Sequence, residues 1–308
     1  AKPRRCQPPQ QILVERFIMS VILVTGASTG IGQATALHLA SKGHQVFAGV
    51  RSPDTCDELK EKIAADQLAV KIVQLDITDG DSVDRAVSAV MASSGRIDAL
   101  VNNAGIGGGR AVEETPIEEV REVFETNYFG TVQMLLAITP IMREQRAGRI
   151  VNMGSLAGRM VFGCHGHYSA AKWALEGLSE ALAFEMAEFN VRVAVIEPGS
   201  VPTPAWEKGT PPPPDSHYMN SLQRLGMWAT HSMKNPAMPI EVAEAVAHAI
   251  ESDTPHFRYP VGQDAIEDLA GRASVTDDEW IEANRLQGEA FYDRWEEIVG
   301  VDYFRYQT

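Results

Sequence analysis

The sequence contains little cysteine, and no two of its cysteines have the spacing of a metal site. Only Cys6, Cys56 and Cys164 occur in 308 residues. One of the three stays unpaired under any disulfide pairing, which argues against a disulfide-stabilised secreted domain. We therefore expect a protein of a reducing compartment, the cytoplasm.

Basic residues are also scarce. The chain has 27 Lys and Arg against 41 Asp and Glu, a formal net charge of −14. This charge repels nucleic acid and anionic lipid, so neither is expected as a partner. The apolar runs are too short for a membrane span, including those of the basic, proline-rich residues 1–18. We interpret residues 1–18 as a poorly ordered appendage to a domain that spans 19–308.

Short apolar runs alternate with helix-length segments along this domain. The runs begin at positions 21, 45, 71, 98, 148 and 191, and the helical segments cover 30–42, 81–94, 117–145 and 168–188. Runs without polar alternation are typical of strands buried on both faces. This order predicts an α/β fold, a doubly wound parallel sheet of Rossmann type in a single domain.

A glycine-rich segment, "TGASTGIG" at 25–32, joins the first run to the first helical segment. Gly26, Gly30 and Gly32 permit a tight turn and let backbone N–H groups approach a pyrophosphate at the positive end of a helix. A glycine-rich turn of any α/β protein is the alternative. Its position after the first strand favours dinucleotide binding.

The end of the second run indicates which dinucleotide is bound. Val50 and Arg51 stand where an acidic residue would bind a free ribose. A guanidinium can pair with a 2′-phosphate, so NADP(H) is favoured over NAD(H), although Arg51 could also merely begin a solvated loop. Asp76, after the third run, could accept from an adenine amino group or cap the next segment.

The segment "YSAAK" at 168–172 places a phenol and an ammonium on one helix face. Hydride transfer to or from a carbinol carbon requires an acid and base for the oxygen's proton. Free tyrosine, with a pKa of about 10, is too weak a base near neutral pH, and the Lys172 ammonium would favour the phenolate of Tyr168. An ordinary alanine-rich helix is the alternative.

Two further polar residues precede this segment. Ser155 follows the fifth run, where its hydroxyl could hydrogen-bond a substrate oxygen or simply begin a turn. Asn127 lies inside the helical segment 117–145, an unfavourable place for asparagine unless its amide has another role. A buried structural amide is the alternative there.

The order and spacing of six motifs resemble the short-chain dehydrogenase/reductase family over residues 19–203. They are "TGASTGIG", "NNAG" at 102–105, Asn127, Ser155, "YSAAK" and "PGSVPT" at 198–203. Two segments, "KWALEGLSEALA" beginning at Lys172 and "IEPGSVPTPAWEK" further on, are most similar to the branch of 17β-hydroxysteroid and retinol dehydrogenases.

The resemblance implies a role for each matching residue. Tyr168 would be the acid/base, Lys172 would hold the ribose, Ser155 would orient the substrate oxygen, and Asn127 would hold a water that relays protons to Lys172. A homodimer or homotetramer is expected. The cofactor-binding residues would be Gly26, Ser28, Thr29, Gly30, Ile31, Gly32, Arg51, Asp76, Ile77, Asn103, Ala104, Gly105, Tyr168, Lys172, Pro198, Gly199, Val201 and Thr203.

Residues 201–240 are interpreted as a substrate-binding lid. Proline alternates there with aromatic and methionine side chains, among them Trp206, Met219 and Trp228, which suit a bulky apolar ligand. Ordinary packing of surface helices is the alternative. The aromatic tail could seal the pocket or contact another subunit; it contains Trp280, Phe291, Tyr292, Trp295, Tyr303 and Phe304.

Cys164, His165 and His167 flank the tyrosine but lack a nearby carboxylate cluster. They are predicted to be pocket wall or surface, and no metal is expected. His167 is an alternative general base.

These observations together predict an oxidoreductase that transfers a hydride between NADP(H) and a hydrophobic secondary alcohol or ketone, of steroid, retinoid or aromatic-ketone type. A non-catalytic nucleotide-sensing or scaffold protein on the same fold is the alternative. An adenosylmethionine methyltransferase would leave Ser155, Tyr168 and Lys172 unexplained.

Overall fold

The computed structural model describes residues 19–204 and 212–303. Seven strands lie within these ranges and form one parallel sheet, in the order β3-β2-β1-β4-β5-β6-β7. The strands are β1 (Val21–Thr25), β2 (Gln45–Val50), β3 (Val70–Gln74), β4 (Ala99–Asn102), β5 (Gly148–Met153), β6 (Val191–Pro198) and β7 (Arg258–Val261).

The first six strands coincide with the six apolar runs, and the predicted doubly wound fold is confirmed. The seventh was not predicted, because β7 is short and contains Pro260, which suits only an edge position. The strand order reverses between β1 and β4, so the carboxyl ends of these two strands open a crevice for a ligand.

Eleven α-helices within the described ranges flank the sheet or follow it. They are α1 (Gly30–Ser41), α2 (Asp57–Ala65), α3 (Gly80–Ser94), α4 (Ile117–Phe124), α5 (Gly130–Gln145), α6 (Gly166–Ala187), α7 (Met219–Ser232), α8 (Pro239–Glu251), α9 (Gln263–Ala273), α10 (Asp277–Arg285) and α11 (Glu289–Val299).

Successive side chains of each strand point to opposite faces of the sheet. Ile22 and Val24 of β1 pack into a core with α1, α2 and α8, whereas Leu23 packs into a second core with α3, α5 and α6. Because helices cover both faces, every residue of β1 and β4 is buried. The site residues therefore stand on a rigid base.

The long helical segment predicted over 117–145 is interrupted. A π-helical turn, Glu125–Phe129, separates α4 from α5, and Asn127 lies at its centre. Such turns frequently occur at functional sites because they change the direction of side chains. Within the described ranges, no helix has both the length and the apolar character needed to cross a membrane.

The last three helices and α7 form a third core against the turn after β5. The ring of Phe162 lies 4.6 Å from that of Trp228 and 5.6 Å from that of Trp295, measured between centroids. Trp280, Phe291 and Tyr303 are buried in the same core. The aromatic tail thus packs against the segment that precedes Tyr168. The predicted N-terminal appendage, residues 1–18, lies outside the described residues, as do Trp206 of the predicted lid and Phe304 of the aromatic tail.

Candidate active site

Tyr168 and Lys172 lie on one face of α6, beneath the carboxyl end of β5. The Lys172 Nζ is 5.7 Å from the centroid of the Tyr168 ring and donates a hydrogen bond of 2.8 Å to the carbonyl of Met153. Lys172 is buried, whereas Tyr168 is partly exposed. The end of β5 therefore anchors the ammonium below the phenol.

Ser155 occupies the turn that follows β5. Its Oγ accepts a hydrogen bond of 3.1 Å from the Ala157 N–H, so it caps the short helical turn Leu156–Gly158. The same side chain hydrogen-bonds the phenol of Tyr168. Ser155 is thus both the turn residue of the alternative interpretation and the polar neighbour of Tyr168.

Burial shifts the pKa of each member of this pair toward its neutral form. The pKa of Tyr168 is raised by burial, and the hydrogen bond from Ser155 offsets part of that rise. Burial lowers the pKa of Lys172 to about 8, and the nearby Glu176 carboxylate opposes this change. The expected lowering of the Tyr168 pKa is therefore not produced by the protein's own groups.

The amide of Asn127 holds the loop that follows β4. Its Oδ1 accepts from the Ile106 N–H at 2.8 Å, and its Nδ2 donates to the Ile106 carbonyl at 2.9 Å. Both ends of the buried amide are therefore satisfied by one residue. This geometry matches the structural alternative for the side chain, and the water-relay role stays a prediction.

The glycine-rich turn has the backbone geometry of a phosphate cradle. Gly26 and Gly30 adopt positive φ angles of 64° and 59°. A Cβ at Gly32 would lie 2.3 Å from the Gly26 carbonyl oxygen, so only glycine fits there. Thr29 is the N-cap of α1, and Ser28 and Ile31 are half-buried beside it. These residues fit a dinucleotide pyrophosphate at the start of α1.

The "NNAG" segment supports this cradle from below. The Asn103 Nδ2 donates to the carbonyls of Thr25 and Gly26 at 2.9 and 3.1 Å. The Ala104 N–H donates to the Thr25 Oγ1 at 3.0 Å. Gly105 lies against the amide of Asn127, where a Cβ would be 3.1 Å from its Oδ1. The Asn103 side chain thus holds the turn in place.

The "PGSVPT" segment closes the other side of the crevice. Pro198 ends β6, and the Gly199 N–H donates to the Val261 carbonyl at 2.9 Å. Val201 is buried. Thr203 lies over the glycine turn, since a Cβ at Gly30 would be 3.1 Å from its Cγ2.

Asp264, at the start of α9, holds this segment but was not identified from the sequence. Its Oδ2 accepts from the Ser200 N–H at 2.7 Å. It lies about sixty positions beyond the motif it supports, so no local pattern indicated the contact.

The residues predicted to determine cofactor preference lie at the ends of β2 and β3. Val50 is buried, whereas Arg51 is exposed and forms no ion pair with any residue in 19–204 or 212–303. The Asp76 Oδ1 accepts from both the N–H and the hydroxyl of Thr78, at 3.0 and 2.8 Å. Asp76 therefore caps its own turn, while Ile77 is buried behind it.

A cleft opens beside Tyr168. The ring of His165 stacks on that of Tyr168 at 4.7 Å between centroids, and burial lowers the pKa of His165 to about 4. His165 is thus neutral pocket wall. The His167 Nε2 lies 3.3 Å from the Val112 carbonyl. The cleft is lined by Gly108, Gly109, Arg110, Thr115, Glu119, Val123, Cys164, His165, His167 and Tyr168.

Metal ligands are not grouped within the ranges that the structure describes. No three His, Cys, Asp or Glu side chains there approach closely enough to hold a metal ion.

Hydrogen bonds hold the described part of the predicted lid at two places. Near its start, the Ser216 hydroxyl and the His217 N–H donate to the Glu114 carboxylate at 2.7 and 2.9 Å. Further along, Trp228 is buried and its indole N–H donates to Asp268 at 2.8 Å. Met219 is 44% exposed. Trp228 therefore belongs to the packing alternative, whereas Met219 remains available to a ligand.

A charged cluster beneath Lys172 was also not identified from the sequence. Glu176 of α6 and Glu197 of β6 are buried, and Arg258 pairs with both of them at 2.9 and 3.4 Å. Arg159 pairs with Glu197 at 3.4 Å. Two signals could have found it, the acid one turn after Lys172 and the acid inside a largely apolar strand.

Known proteins are similar to this chain in sequence and in fold. Residues 20–212 match the family described as short chain dehydrogenase. A 3-ketodihydrosphingosine reductase of Bacteroides thetaiotaomicron is 36% identical over 245 residues, which cover 79% of this chain and 87% of the relative.

Solved structures agree with this match. A short-chain dehydrogenase from Streptomyces avermitilis has a TM-score of 0.76 at 34% identity, covering 87% of this chain and 96% of that one. An alcohol dehydrogenase of the archaeon Thermococcus sibiricus, complexed with 5-hydroxy-NADP, has a TM-score of 0.67 at 26% identity, covering 80% and 98%. The chain therefore belongs to the short-chain dehydrogenase family of oxidoreductases.

Proposed function

We propose that this oxidoreductase transfers a hydride between NADP(H) and a hydrophobic secondary alcohol or ketone. The observation that carries this proposal is the contact between Ser155 and the Tyr168 phenol, with the buried Lys172 ammonium 5.7 Å from the same ring. A scaffold protein would have no need for a buried cation under a phenol at the mouth of a cleft.

The chain's own groups divide the proton chemistry among them. Burial keeps the Tyr168 phenol protonated, and so able to donate its proton to a carbonyl oxygen during reduction. The Ser155 hydroxyl, beside that phenol, hydrogen-bonds the same substrate oxygen as charge develops on it. The Lys172 ammonium favours the phenolate that remains. A bound nicotinamide would exchange the hydride with the substrate carbon, and its oxidised form would add a positive charge that favours the phenolate.

The preference for NADP(H) is supported by the end of β2. Arg51 is exposed and without an ion pair among the described residues, and Val50 offers the ribose no carboxylate. A guanidinium in this position can bind a 2′-phosphate through paired hydrogen bonds. The Thermococcus sibiricus alcohol dehydrogenase, a structural relative, binds an NADP derivative.

The substrate class is proposed from the cleft and the relatives. Met219 is exposed at the start of α7. The cleft beside Tyr168 is small and has a mixed lining: Val123, Cys164 and the glycines of 108–109 lie there together with polar side chains such as Arg110 and Glu119. Met219 and the apolar part of this lining support an apolar ketone of steroid, retinoid or aromatic type. The Bacteroides relative is named a 3-ketodihydrosphingosine reductase, so this ketone is added to the set.

A substrate screen tests the proposal. NADPH consumption is followed with steroid, retinoid and aromatic ketones and with 3-ketodihydrosphingosine, and NADH is the matched control. We expect turnover with at least one apolar ketone. Tight NADP(H) binding without turnover of any of these ketones would instead support the nucleotide-sensing alternative.

We also propose that the protein acts as a homodimer or homotetramer in the cytoplasm. Large apolar side chains are exposed on two neighbouring helices and the adjoining π turn, namely Phe129, Leu136, Trp173 and Phe184. Cys56 and Cys164 are both free thiols, which suits a reducing compartment. Light scattering of the purified protein measures the assembly, and a monomer at micromolar concentration would contradict it.

A further inference from the structure

The charged cluster under Lys172 brings two carboxyl groups close together. Glu197 is fully buried in β6 and Glu176 is nearly so in α6, and the Nε of Arg258 lies 2.9 Å from Glu176 and 3.4 Å from Glu197. The Oε1 atom of each glutamate has no hydrogen-bond partner among the described residues. Two buried carboxylates held this close repel each other, which favours one proton on the pair.

This pair lies against the turn that carries Ser155. A Cβ at Gly154 would be 3.0 Å from the Glu176 Oε1, and a Cβ at Gly158 would be 3.1 Å from the Glu176 Cγ. Both ends of the turn thus pack on one glutamate. Glu176 also lies one helical turn beyond Lys172, and its charge opposes the lowering of the Lys172 pKa.

The charges around the pair are balanced only when it has lost its proton. The cations are Lys172, Arg159 and Arg258. The carboxyl groups are Glu176, Glu197 and Glu180, of which Glu180 pairs with Arg258 at 3.0 Å on the outer side. With one proton on the pair, the cluster has one positive charge in excess. Without that proton, the three carboxylates match the three cations.

We propose that Glu176 and Glu197 hold one shared proton at and below neutral pH and, by releasing it as the pH rises, keep Lys172 in its ammonium form. The pair is a positioning and charge-setting element that acts through Lys172 and touches no substrate. Burial and the neighbouring Glu176 raise the pKa of Glu197 to about 7, below the value of about 8 for Lys172. The two titrations therefore fall in neighbouring pH ranges, and the negative charge that the pair gains when it loses its proton favours the Lys172 ammonium.

The Glu197→Gln variant isolates this effect. Glutamine preserves the shape and a neutral hydrogen-bond donor, so it imitates the protonated carboxyl but cannot release a proton. Below pH 7 the charge of the cluster is the same in both proteins. Above pH 7 only the wild type gains a second negative charge near Lys172.

The direct test is a lysine titration by NMR, which needs no turnover. The protein is labelled at lysine Cε, and the Lys172 signal is identified by its absence from Lys172→Met. We expect a wild-type midpoint near 8 and a midpoint about one pH unit lower in Glu197→Gln. Glu180→Gln is the control, because Glu180 is half-exposed and its charge is screened by water; its Lys172 midpoint should equal that of the wild type.

The activity test rests on the proposed function. Ketone reduction should decline at a pH about one unit lower in Glu197→Gln than in the wild type, and the two profiles should coincide below pH 7. If the Lys172 midpoint is the same in both proteins, the proposal is wrong whatever the activity shows. If the midpoint shifts but the wild type reduces no ketone, the proposed function fails and the proton-sharing pair stands. Glu176→Gln provides the same comparison if Glu197→Gln does not fold.

Discussion

The indole N–H of Trp228 donates a 2.8 Å hydrogen bond to the buried carboxyl of Asp268, and this bond joins α7 to α9. The Tyr303 side chain, beyond α11, is buried in the same core and contributes to the pKa of this carboxyl. Trp228 also packs on Phe162, in the segment that precedes Tyr168. One buried acid therefore connects the C-terminal helices with the segment that leads to the active site.

Replacing Asp268 should change how stability depends on pH. Burial raises the pKa of Asp268 from 3.8 to about 7 in the folded protein, with smaller effects of Asp264 and Glu267 in the same direction. Between these two values the folded state binds more protons than the unfolded state, so stability falls as the pH rises from about 4 to 7. Asp268→Asn retains an acceptor for Trp228 without the ionisation, and this part of the fall should disappear.

Urea unfolding at pH 5, 6, 7 and 8 measures this effect. The free energy of unfolding of Asp268→Asn relative to wild type should increase with pH by on the order of 1 to 3 kcal/mol and level off above pH 7. Asp278→Asn, an exposed carboxyl on α10, is the control and should keep the wild-type slope. A constant difference between Asp268→Asn and wild type across this range would contradict the prediction.

Two substitutions in α7 should separate substrate binding from packing. Trp228→Ala removes a buried ring and should lower the free energy of unfolding by about 3 to 5 kcal/mol. Met219→Ala changes an exposed side chain and should alter KM for apolar ketones with a stability change within about 0.5 kcal/mol. Thermal unfolding and substrate profiles of both variants test the distinction. An unchanged profile for Met219→Ala would exclude it from the pocket.

The sequence predicts local features of this fold better than contacts between distant segments. Six strands follow from apolar runs. Five of them are almost wholly buried, which leaves a continuous signal, whereas β3 at the edge of the sheet is only partly buried. Strand β7 carries no such run, and its pairing with β6 depends on tertiary packing. The π turn around Asn127 leaves the helical periodicity almost unchanged and was not predicted.

The same limit applies to the site. The spacing of "YSAAK" places Tyr168 and Lys172 on one helix face, as the structure shows. Asp264 and Arg258 reach the site from positions about sixty to ninety residues away along the chain, and no short motif contains them. The direction of the Tyr168 pKa shift likewise depends on burial, which the motif does not specify.

Cofactor choice should depend on Arg51. Arg51→Ala removes the guanidinium predicted to pair with a 2′-phosphate, a charge-assisted contact of about 1.5 to 3 kcal/mol, so NADP(H) affinity should fall roughly 10- to 100-fold while NAD(H) affinity changes little. Val50→Asp should favour NAD(H). Arg192→Ala is the control, because Arg192 is an exposed arginine at the amino end of β6, away from the carboxyl ends of the strands where the cofactor is expected. Fluorescence titrations with both cofactors measure the ratio, and equal ratios in wild type and Arg51→Ala would reject the assignment.

The proton-transfer role of Tyr168 is tested by Tyr168→Phe. Phenylalanine keeps the ring that stacks on His165 at 4.7 Å but removes the hydroxyl that contacts Ser155. Folding and NADP(H) affinity should therefore survive, whereas kcat should fall by about 10² to 10⁴, the usual contribution of a general acid or base. Ser155→Ala is the companion variant, because it removes the hydrogen bond that lowers the Tyr168 pKa and leaves the phenol in place.

The pH profile distinguishes these two variants. In alcohol oxidation the wild-type rate should rise with pH as Tyr168 loses its proton. Ser155→Ala should keep this rise but move it to higher pH, since the phenol loses a hydrogen bond that favours its ionised form. Tyr168→Phe should lack the rise. If Tyr168→Phe, folded and saturated with NADP(H), retains the wild-type rate and profile, Tyr168 is not the acid/base, and His167 at the edge of the same cleft becomes the residue to replace.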